Sequence, residues 1–238
     1  MKFGRPHRHY RLTDSTNERA KELAIAGAPG GMVVTAAEQS AGRGRRGHAW
    51  FGPPGSSLLY SALLRPFGGE PLLALAVPVA VCEAVESLAA LSCEVKWPND
   101  VWVEGRKLAG VLVEARPEES WVVIGVGLNL GLAGDDFPPE LRETATSVRL
   151  AAGADAVPEP IRALAALNER LTRWVEAEPG QVLAELRRRD ALRGRRISWA
   201  GGEGVAEGVD DAGHLLVGTD DGERVSLGAG EVHLSVRD

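Results

Sequence analysis

The sequence contains little cysteine, little lysine and no long apolar run, and each shortage excludes a class of protein. Its two cysteines, Cys82 and Cys93, lack the spacing of a metal or redox site, and both lie in or beside an apolar segment, which predicts reduced, buried thiols. The longest apolar run, residues 72–82, is too short to span a bilayer and contains a proline. Residues 1–10 lack the apolar core of a signal peptide. We therefore predict a cytoplasmic globular protein.

Positive charge is carried almost entirely by arginine, since only four of the 27 basic residues are lysines. A compact ammonium and a planar guanidinium suit different partners, and two of the lysines, Lys96 and Lys107, lie in unusual segments. The net charge of -6 argues against general nucleic-acid binding. A non-catalytic nucleic-acid binder would have to use the arginines of 187–189 and 193–196. Because a helix C-terminus favours basic residues, we interpret that cluster as a solvated helix end.

The most unusual segment is GRGRRG at residues 42–47, with Trp50 close behind. It lies in a predicted long loop, residues 39–55, that contains seven glycines and prolines. Glycine frees the backbone, and three guanidiniums offer donor forks suited to phosphate or carboxylate. A mobile surface loop is the structural alternative. The composition favours an anion clamp.

Two common nucleotide motifs are excluded. Residues 42–47 match G-x-G-x-x-G, but the dinucleotide fingerprint requires a helix that begins within the motif and an acidic residue about 20 positions later. Here FGPPG follows at residues 51–55, and residues 58–64 carry no acid. A G-x-x-x-x-G-K-[ST] motif does not occur in the sequence either. The nucleotide fold must therefore be of another kind.

The pattern along the chain predicts an α+β fold: a mixed, largely antiparallel central sheet flanked by helices, then a small β-barrel. The predicted strands of the central sheet cover 7–12, 32–38, 57–64, 95–97, 101–103, 107–115 and 121–130, and the predicted helices cover 14–26, 71–91, 140–148, 159–177 and 180–192. Residues 95–130 predict an antiparallel meander with helix 71–91 over one face. Short strands at 196–200, 204–209, 215–219, 223–226 and 232–236 predict the barrel. We place two domains at 1–193 and 194–238.

Three further segments each have an ordinary structural interpretation. KWPND at 96–100 is typical of a hairpin corner. KLAGVLVE at 107–114 could be a plain core strand, although Gly110 weakens a strand and often marks the close approach of a ligand. GVGLN at 125–129 places two glycines and a polar amide in an apolar strand. Their joint presence in this order changes the interpretation.

That order resembles the biotin protein ligases, also called biotin–acetyl-CoA-carboxylase ligases. The matching residues are DSTN at 14–17, EQSAGRGRRG at 38–47, KWPND at 96–100, KLAGVLVE at 107–114 and GVGLN at 125–129. The C-terminal strands fit the SH3-like barrel of that family. His48 departs from the pattern, because the family commonly has arginine there. Only 13 residues precede Asp14, so we expect the short form without the DNA-binding winged helix. Lipoate–protein ligases share the adenylation logic but lack the arginine-rich loop.

The resemblance implies two half-reactions, in which biotin is activated as biotinyl-5'-AMP and then transferred to a carrier lysine. It implies Lys107, Arg45 and Asp100 as catalytic residues. The implied biotin-binding residues are Ser15, Thr16, Asn17, Gln39, Gly42, Arg43, Arg45, Lys107 and Gly110. The implied ATP- and adenylate-binding residues are Arg45, Arg46, Trp50, Lys96, Asn99 and Asn129. Ser15 has capping-box spacing to Glu18, so we expect it to cap the first helix and expect Thr16 to be the freer ligand.

ATP and biotin are the implied substrates, and Mg²⁺ is the implied cofactor. No residue is assigned to the metal, and Asp100 is left open between the metal and the incoming lysine. The implied partner is the biotin carboxyl carrier domain of acetyl-CoA carboxylase or of a related carboxylase. We expect no nucleic acid and no membrane, and we leave a homodimer open. Residues 42–47 should be mobile until an anion binds, because nothing in the segment offsets their charge and entropy.

Overall fold

The computed structural model describes residues 1–228 and 232–234. The strands of the central sheet are β1 (His7–Thr13), β2 (Val33–Gln39), β3 (Ser57–Leu64), β4 (Glu94–Lys96), β5 (Asp100–Val103), β6 (Arg106–Arg116) and β7 (Trp121–Asn129). The α-helices of the described residues are α1 (Thr16–Ile25), α2 (Leu73–Glu86), α3 (Val148–Ala152), α4 (Pro160–Trp174) and α5 (Pro179–Arg188). None of these helices is both long and apolar enough to cross a membrane.

The central sheet has the order β1-β2-β3-β7-β6-β5-β4. β1 pairs with β2 in parallel, and the other neighbours are antiparallel. The predicted meander from β4 to β7 is thus confirmed, and α2 packs on it. The α+β class and the largely antiparallel sheet are confirmed as well.

Strand β3 shows that the central sheet is covered on both faces, because all eight of its residues are buried. Leu58, Tyr60 and Ala62 point into the main core with α2 and α4, whereas Leu63 on the opposite face packs with Ala20 of α1. The sequence of a strand that is buried on both faces is a nearly continuous run of apolar residues, without the usual alternation with polar ones. The central sheet is therefore sandwiched, and α1 covers the face on which the candidate site lies.

The C-terminal part forms a second sheet of β8 (Arg196–Trp199), β9 (Gly202–Val209), β10 (Leu215–Gly218), β11 (Arg224–Leu227) and β12 (His233–Leu234). Its order is β11-β10-β9-β8-β12, and every pair is antiparallel. The five predicted strands are therefore present, and the described pairings leave β11 and β12 at the two edges. The predicted end of the last strand, at residues 235–236, lies outside the described residues.

The predicted helix at 140–148 is wrong. A short 3₁₀ turn covers Pro139–Leu141, and the α-helix begins only at Val148. The segment between them pairs with the start of β6: the Lys107 N–H donates to the Thr144 carbonyl and the Thr146 N–H donates to the Lys107 carbonyl, both at 2.8 Å. Backbone pairing with a strand has overridden local helix propensity.

The arginine cluster at 187–189 is a solvated helix end only in part: the side chains of Arg187 and Arg188 are 40% and 62% exposed, and the prediction is wrong for Arg189. Arg189 is buried and donates to Glu86 and Glu185 at 2.6–2.7 Å. Arg187 pairs with Asp211. Carboxylates therefore neutralise much of the charge at 187–189, whereas Arg193 and Arg195 are exposed, and the absence of nucleic-acid binding stays a prediction. The cysteines are free and buried, as predicted.

Candidate active site

Three glycines form the floor of the site on adjacent strands. Gly110 of β6 lies opposite Gly127 of β7, and Gly125 lies two residues away. A Cβ atom at Gly127 would lie 2.3 Å from Cε2 of the Trp50 indole, and one at Gly125 would lie 2.3 Å from the Asn17 Oδ1. Real Cβ atoms do not approach so closely. The glycines thus let side chains lie flat on the sheet, as close approach to a strand requires.

A cavity of about 650 Å³ opens above this floor. That volume suits a cofactor-sized molecule. It is lined by every predicted site residue except Gly42: Ser15, Thr16, Asn17, Gln39, Arg43, Arg45, Arg46, Trp50, Lys96, Asn99, Asp100, Lys107, Gly110 and Asn129. Gly42 instead lies behind the wall, where a Cβ atom would be 2.8 Å from the Trp50 carbonyl and from Gln39 Nε2. The structure therefore brings the predicted residues together around one space.

One end of the cavity is a polar cluster in which the side chains hold one another. Gln39 Oε1 accepts hydrogen bonds from the backbone N–H and the hydroxyl of Thr16, at 2.7 and 3.0 Å. The buried Ser61 hydroxyl lies 2.8 Å from the Thr16 hydroxyl and 2.5 Å from Asn17 Oδ1. Asn17 Nδ2 donates to Glu114 at 2.8 Å. Polar groups fixed before a ligand arrives lower the ordering cost of binding.

The expected capping role of Ser15 is not observed. Ser15 occupies the N-cap position of α1, but its side chain makes no capping hydrogen bond. The backbone N–H of Ser15 donates to Asp14 Oδ1 at 2.6 Å, and the Glu18 carboxylate contacts Arg43 at 2.8 Å and Lys21 at 2.7 Å, so no capping box forms. Thr16, expected to be the freer ligand, is the residue whose hydroxyl is already hydrogen-bonded.

The arginine-rich loop, residues 42–50, consists of two short antiparallel segments joined by a 3₁₀ turn. The Trp50 N–H donates to the Gly42 carbonyl at 2.9 Å, and the Gly44 N–H donates to the His48 carbonyl at 2.7 Å. Arg46 has the left-handed φ of 53°, which a residue with a Cβ atom rarely adopts. Backbone strain of this kind is concentrated at functional sites.

Contacts to other elements partly offset the cost of ordering this loop, which corrects the expectation that nothing would. Arg43 forms its ion pair with Glu18 of α1. Arg45 donates to Asn99 Oδ1 at 3.0 Å, and Asn99 Nδ2 in turn donates to the Val111 carbonyl at 2.9 Å. Both ends of the Asn99 amide are thus occupied within the protein. The mobility of the loop stays a prediction.

Positive charge gathers at the other end of the cavity. Lys107 Nζ lies 2.8 Å from Asp100 Oδ1 and 5.8 Å from the centre of the Trp50 ring. Lys96 Nζ lies 5.3 Å from the ring of Trp102. Half-buried cations beside an aromatic wall can attract a phosphate and shield it from water.

Asn129 ends β7 at the back of the cavity. Its Nδ2 donates to the Thr146 carbonyl at 2.9 Å. Within the described residues, its buried Oδ1 has no hydrogen-bond partner, nor has Trp50 Nε1. Buried polar atoms usually have partners, so these two are available to a ligand that offers complementary groups.

The residues that could hold a metal are few. Across the described part of the chain, no group of three or more histidine, cysteine or acidic residues is placed to bind a metal. Asp100 is the carboxylate beside the cationic end, with 17% of its side chain exposed. Mg²⁺ is commonly bound by one or two carboxylates together with substrate phosphates. The donor set therefore fits a Mg²⁺ ion that arrives with a nucleotide.

Sequence reasoning missed three parts of the site. Ser61 carries no motif signal, and only the pairing of β3 with β7 brings it beside Asn17. Glu114 lies in the segment KLAGVLVE, but the sequence pattern assigns it no role. Burial acts to raise its pKa, but hydrogen bonds from Lys21 and Asn17 outweigh burial and hold the pKa below its usual value. The third part is two wall segments: Phe137, Leu141 and residues 143–145, which lie between β7 and α3, and residues 232–234 at the C-terminal sheet.

Comparison with known protein families gives two matches in this chain. The pattern of the biotin/lipoate A/B protein ligase family matches residues 9–129, and that of the biotin protein ligase C terminal domain matches residues 201–235. A bifunctional ligase/repressor of Bacillus spizizenii is 40% identical over 148 residues, which are 60% of this chain and 46% of that protein. The match thus spans less than half of that relative.

Two further proteins are similar along nearly the whole chain. The biotin–[acetyl-CoA-carboxylase] ligase of Mycobacterium tuberculosis is 35% identical over 237 residues, which are 92% of this chain and 85% of that protein. The structure of the biotin protein ligase from Aquifex aeolicus in complex with biotin and ATP is 26% identical, with a TM-score of 0.81 over 98% of this chain and all of that one. On these matches, the chain belongs to the biotin/lipoate A/B protein ligase family.

Proposed function

We propose that this protein activates biotin with ATP and transfers it to a lysine of a biotin carboxyl carrier domain. One observation carries the proposal: a single cavity joins a preformed hydrogen-bonding cluster at one end to lysines and arginines at the other, over a floor of glycines. Such a cavity suits a molecule with a small polar head, an apolar body and a carboxylate that meets a phosphate. Family membership and the biotin- and ATP-bound relative support this assignment.

In the first half-reaction, a carboxylate oxygen of biotin attacks the α-phosphorus of ATP. The bond from that phosphorus to the bridging oxygen breaks, and pyrophosphate leaves. Lys107 is the cation between the two reacting groups, and Arg45 and Arg46 stabilise charge on the phosphates. Fixed cations in a site that excludes water stabilise such a transition state far better than water does.

Binding roles follow from position in the cavity. The cluster of Ser15, Thr16, Asn17 and Gln39 binds the ureido head of biotin. Gly110 and the backbone of Arg43 approach its body, and Gly42, which does not line the cavity, lets the loop pack against Trp50 and Gln39. Trp50 packs against the adenylate. Asn129 accepts a hydrogen bond from the adenine base with its unpartnered Oδ1. Lys96 and Asn99 also contact the nucleotide.

In the second half-reaction, the ε-amine of the acceptor lysine attacks the acyl carbon of biotinyl-5'-AMP. AMP leaves with the electron pair of the broken C–O bond, and the amine loses a proton as the amide forms. Asp100, beside Lys107, can accept that proton or can bind Mg²⁺. Mg²⁺ would neutralise phosphate charge when bound, and Asp100 is the residue that would hold it.

We extend the proposal to organisation and partners. Residues 1–193 form the catalytic domain and 194–238 the SH3-like domain. The acceptor is the carrier domain of acetyl-CoA carboxylase or a related carboxylase, as the name of the Mycobacterium tuberculosis relative suggests. Cytoplasmic location, a homodimer and the absence of nucleic-acid and membrane partners remain predictions.

The test compares biotin with lipoate. The protein is incubated with ATP, Mg²⁺ and one of the two acids, and pyrophosphate release is measured. We expect release with biotin and little with lipoate, followed by labelling of a carrier domain. Release with lipoate alone would assign the chain to the other branch of its family, and release with neither would overturn the proposal.

A further inference from the structure

We infer that Glu18 is a positioning residue that fastens the arginine-rich loop to α1 through Arg43. The inference rests on the proposed function for its catalytic consequence, but not for its structural one. Glu18 Oε1 lies 2.8 Å from Arg43 Nη1 and 2.7 Å from Lys21 Nζ. The glutamate is thus the link between the loop and the helix that covers the site.

The pair is one step in a continuous chain of polar contacts. Lys21 Nζ reaches Glu114 Oε1 of β6 at 2.9 Å, and the other oxygen of Glu114 accepts from Asn17. From Asn17 the chain continues through Ser61 and Thr16 to Gln39, where the loop begins. The contacts therefore form a closed ring that leaves the loop at Arg43 and returns to it at Gln39.

The weakest contact in this ring is the ion pair of Arg43 with Glu18. The side chain of Arg43 is 58% exposed, whereas those of Lys21 and Glu18 are 20% and 26% exposed. An exposed ion pair contributes little and is screened by salt. The contact of Glu18 with Arg43 can therefore open without disturbing Lys21, Glu114 or the polar cluster. This is the behaviour required of a fastening that must release product.

Glu18→Gln tests the fastening with little risk to the fold, because Lys21 keeps its contact with Glu114. Glu22→Gln is the matched control, since Glu22 lies on the same helix and pairs with Arg19 instead. Hydrogen exchange is measured on peptides covering 42–50 in the ligand-free protein. The amides of Gly44 and Trp50 are hydrogen-bonded within the loop, so their exchange reports its opening.

We expect faster exchange in the Glu18 variant than in the parent or control, by about two- to fivefold, as an exposed pair allows. Arg43→Gln combined with Glu18→Gln should exchange no faster than either single variant. In about 1 M salt, where the screening length falls to about 3 Å, the difference should shrink. Equal exchange in parent and variant at low salt would overturn the inference.

The catalytic consequence is measured separately. Bound biotinyl-5'-AMP should escape from the Glu18 variant about two- to fivefold faster than from the parent, with its rate of formation little changed. Equal escape would refute a role in retention. If the parent releases no pyrophosphate with biotin, the proposed function fails, while the exchange experiment on the ligand-free protein still decides whether Glu18 fastens the loop.

Discussion

Two glycines of β7 set the shape of the candidate site. Gly127 allows the Trp50 indole to lie against β7, and Gly125, two residues earlier on the same strand, allows the Asn17 amide to do so. Neither glycine has a positive φ, so conformational freedom is not the reason for them. The glycines are needed because a Cβ atom would occupy the space that the Trp50 and Asn17 side chains fill. This requirement can be tested by adding one methyl group.

Gly127→Ala should weaken ATP binding and leave the protein folded. The new Cβ atom would displace the indole of Trp50 from the sheet. Overpacking of this kind typically costs about 1–3 kcal/mol, which is about ten- to a hundredfold in affinity if it falls on binding. Gly180→Ala is the control, because its Cβ atom would meet nothing within 4 Å. The KM for ATP in pyrophosphate release is the measurement, and an unchanged value would show that the ring does not face the nucleotide.

Lys107→Ala should abolish adenylate formation without unfolding the protein. Lys107 is the second residue of β6, and 36% of its side chain is exposed, so truncation opens no core cavity. Losing one electrostatic contact at a transition state typically costs about a hundredfold or more in rate. Lys2→Ala, which removes an exposed lysine outside the cavity, is the control. Pyrophosphate release near the parent rate from a folded Lys107 variant would exclude the role.

At the scale of elements, the sequence predicted what depends on local pattern. The strand Ser57–Leu64 was placed at its observed limits, since its apolar run is bounded by glycine and proline. The segment 140–148 was misassigned, because its conformation depends on hydrogen bonds to Lys107, 37 to 39 residues earlier in the chain. Ser61 and Glu114 could not be assigned to the site for the same reason: strand order, which no single segment encodes, brings them beside Asn17.

We predict that retention of the intermediate depends on the arginine-rich loop. Arg45→Gly should still form biotinyl-5'-AMP but release it, because the variant loses the hydrogen bond to Asn99 that holds the loop against the β4–β5 turn. Free biotinyl-5'-AMP in solution and biotin on lysines of unrelated proteins are the readouts. Retention as tight as in the parent would mean that the loop does not act as a lid.

At the scale of the whole molecule, the two sheets are joined through the segment that carries KWPND. Trp97 Nε1 donates to the Gly213 carbonyl of the C-terminal sheet at 3.0 Å. On the other side of β4, the Val95 N–H donates to the Arg189 carbonyl at 2.7 Å. The end of the cavity that we propose for the nucleotide thus lies at the junction of the two parts, where residues 232–234 also reach its wall.

A charge network that links the end of α5 to α2 stays ionised at neutral pH. A hydrogen bond from Arg188, then one from Arg189, lowers the pKa of Glu185 to about 2. Because this pKa is depressed in the folded state, the stabilisation is present above the unfolded value of about 4.5 and is lost as the pH falls toward 2. The network therefore helps to hold α5 against α2 throughout the neutral range.

Arg189→Met should destabilise the protein far more than Arg188→Met, although the two arginines are neighbours and share Glu185. The Arg189 side chain is 4% exposed and also holds both oxygens of Glu86, whereas that of Arg188 is 62% exposed. Removing one partner of a buried pair costs up to about 3–5 kcal/mol, and an exposed pair contributes about 0–1 kcal/mol. The free energy of unfolding at pH 7 is the measurement. Equal losses in the two variants would mean that water replaces Arg189 at no greater cost, and that burial does not set the strength of this network.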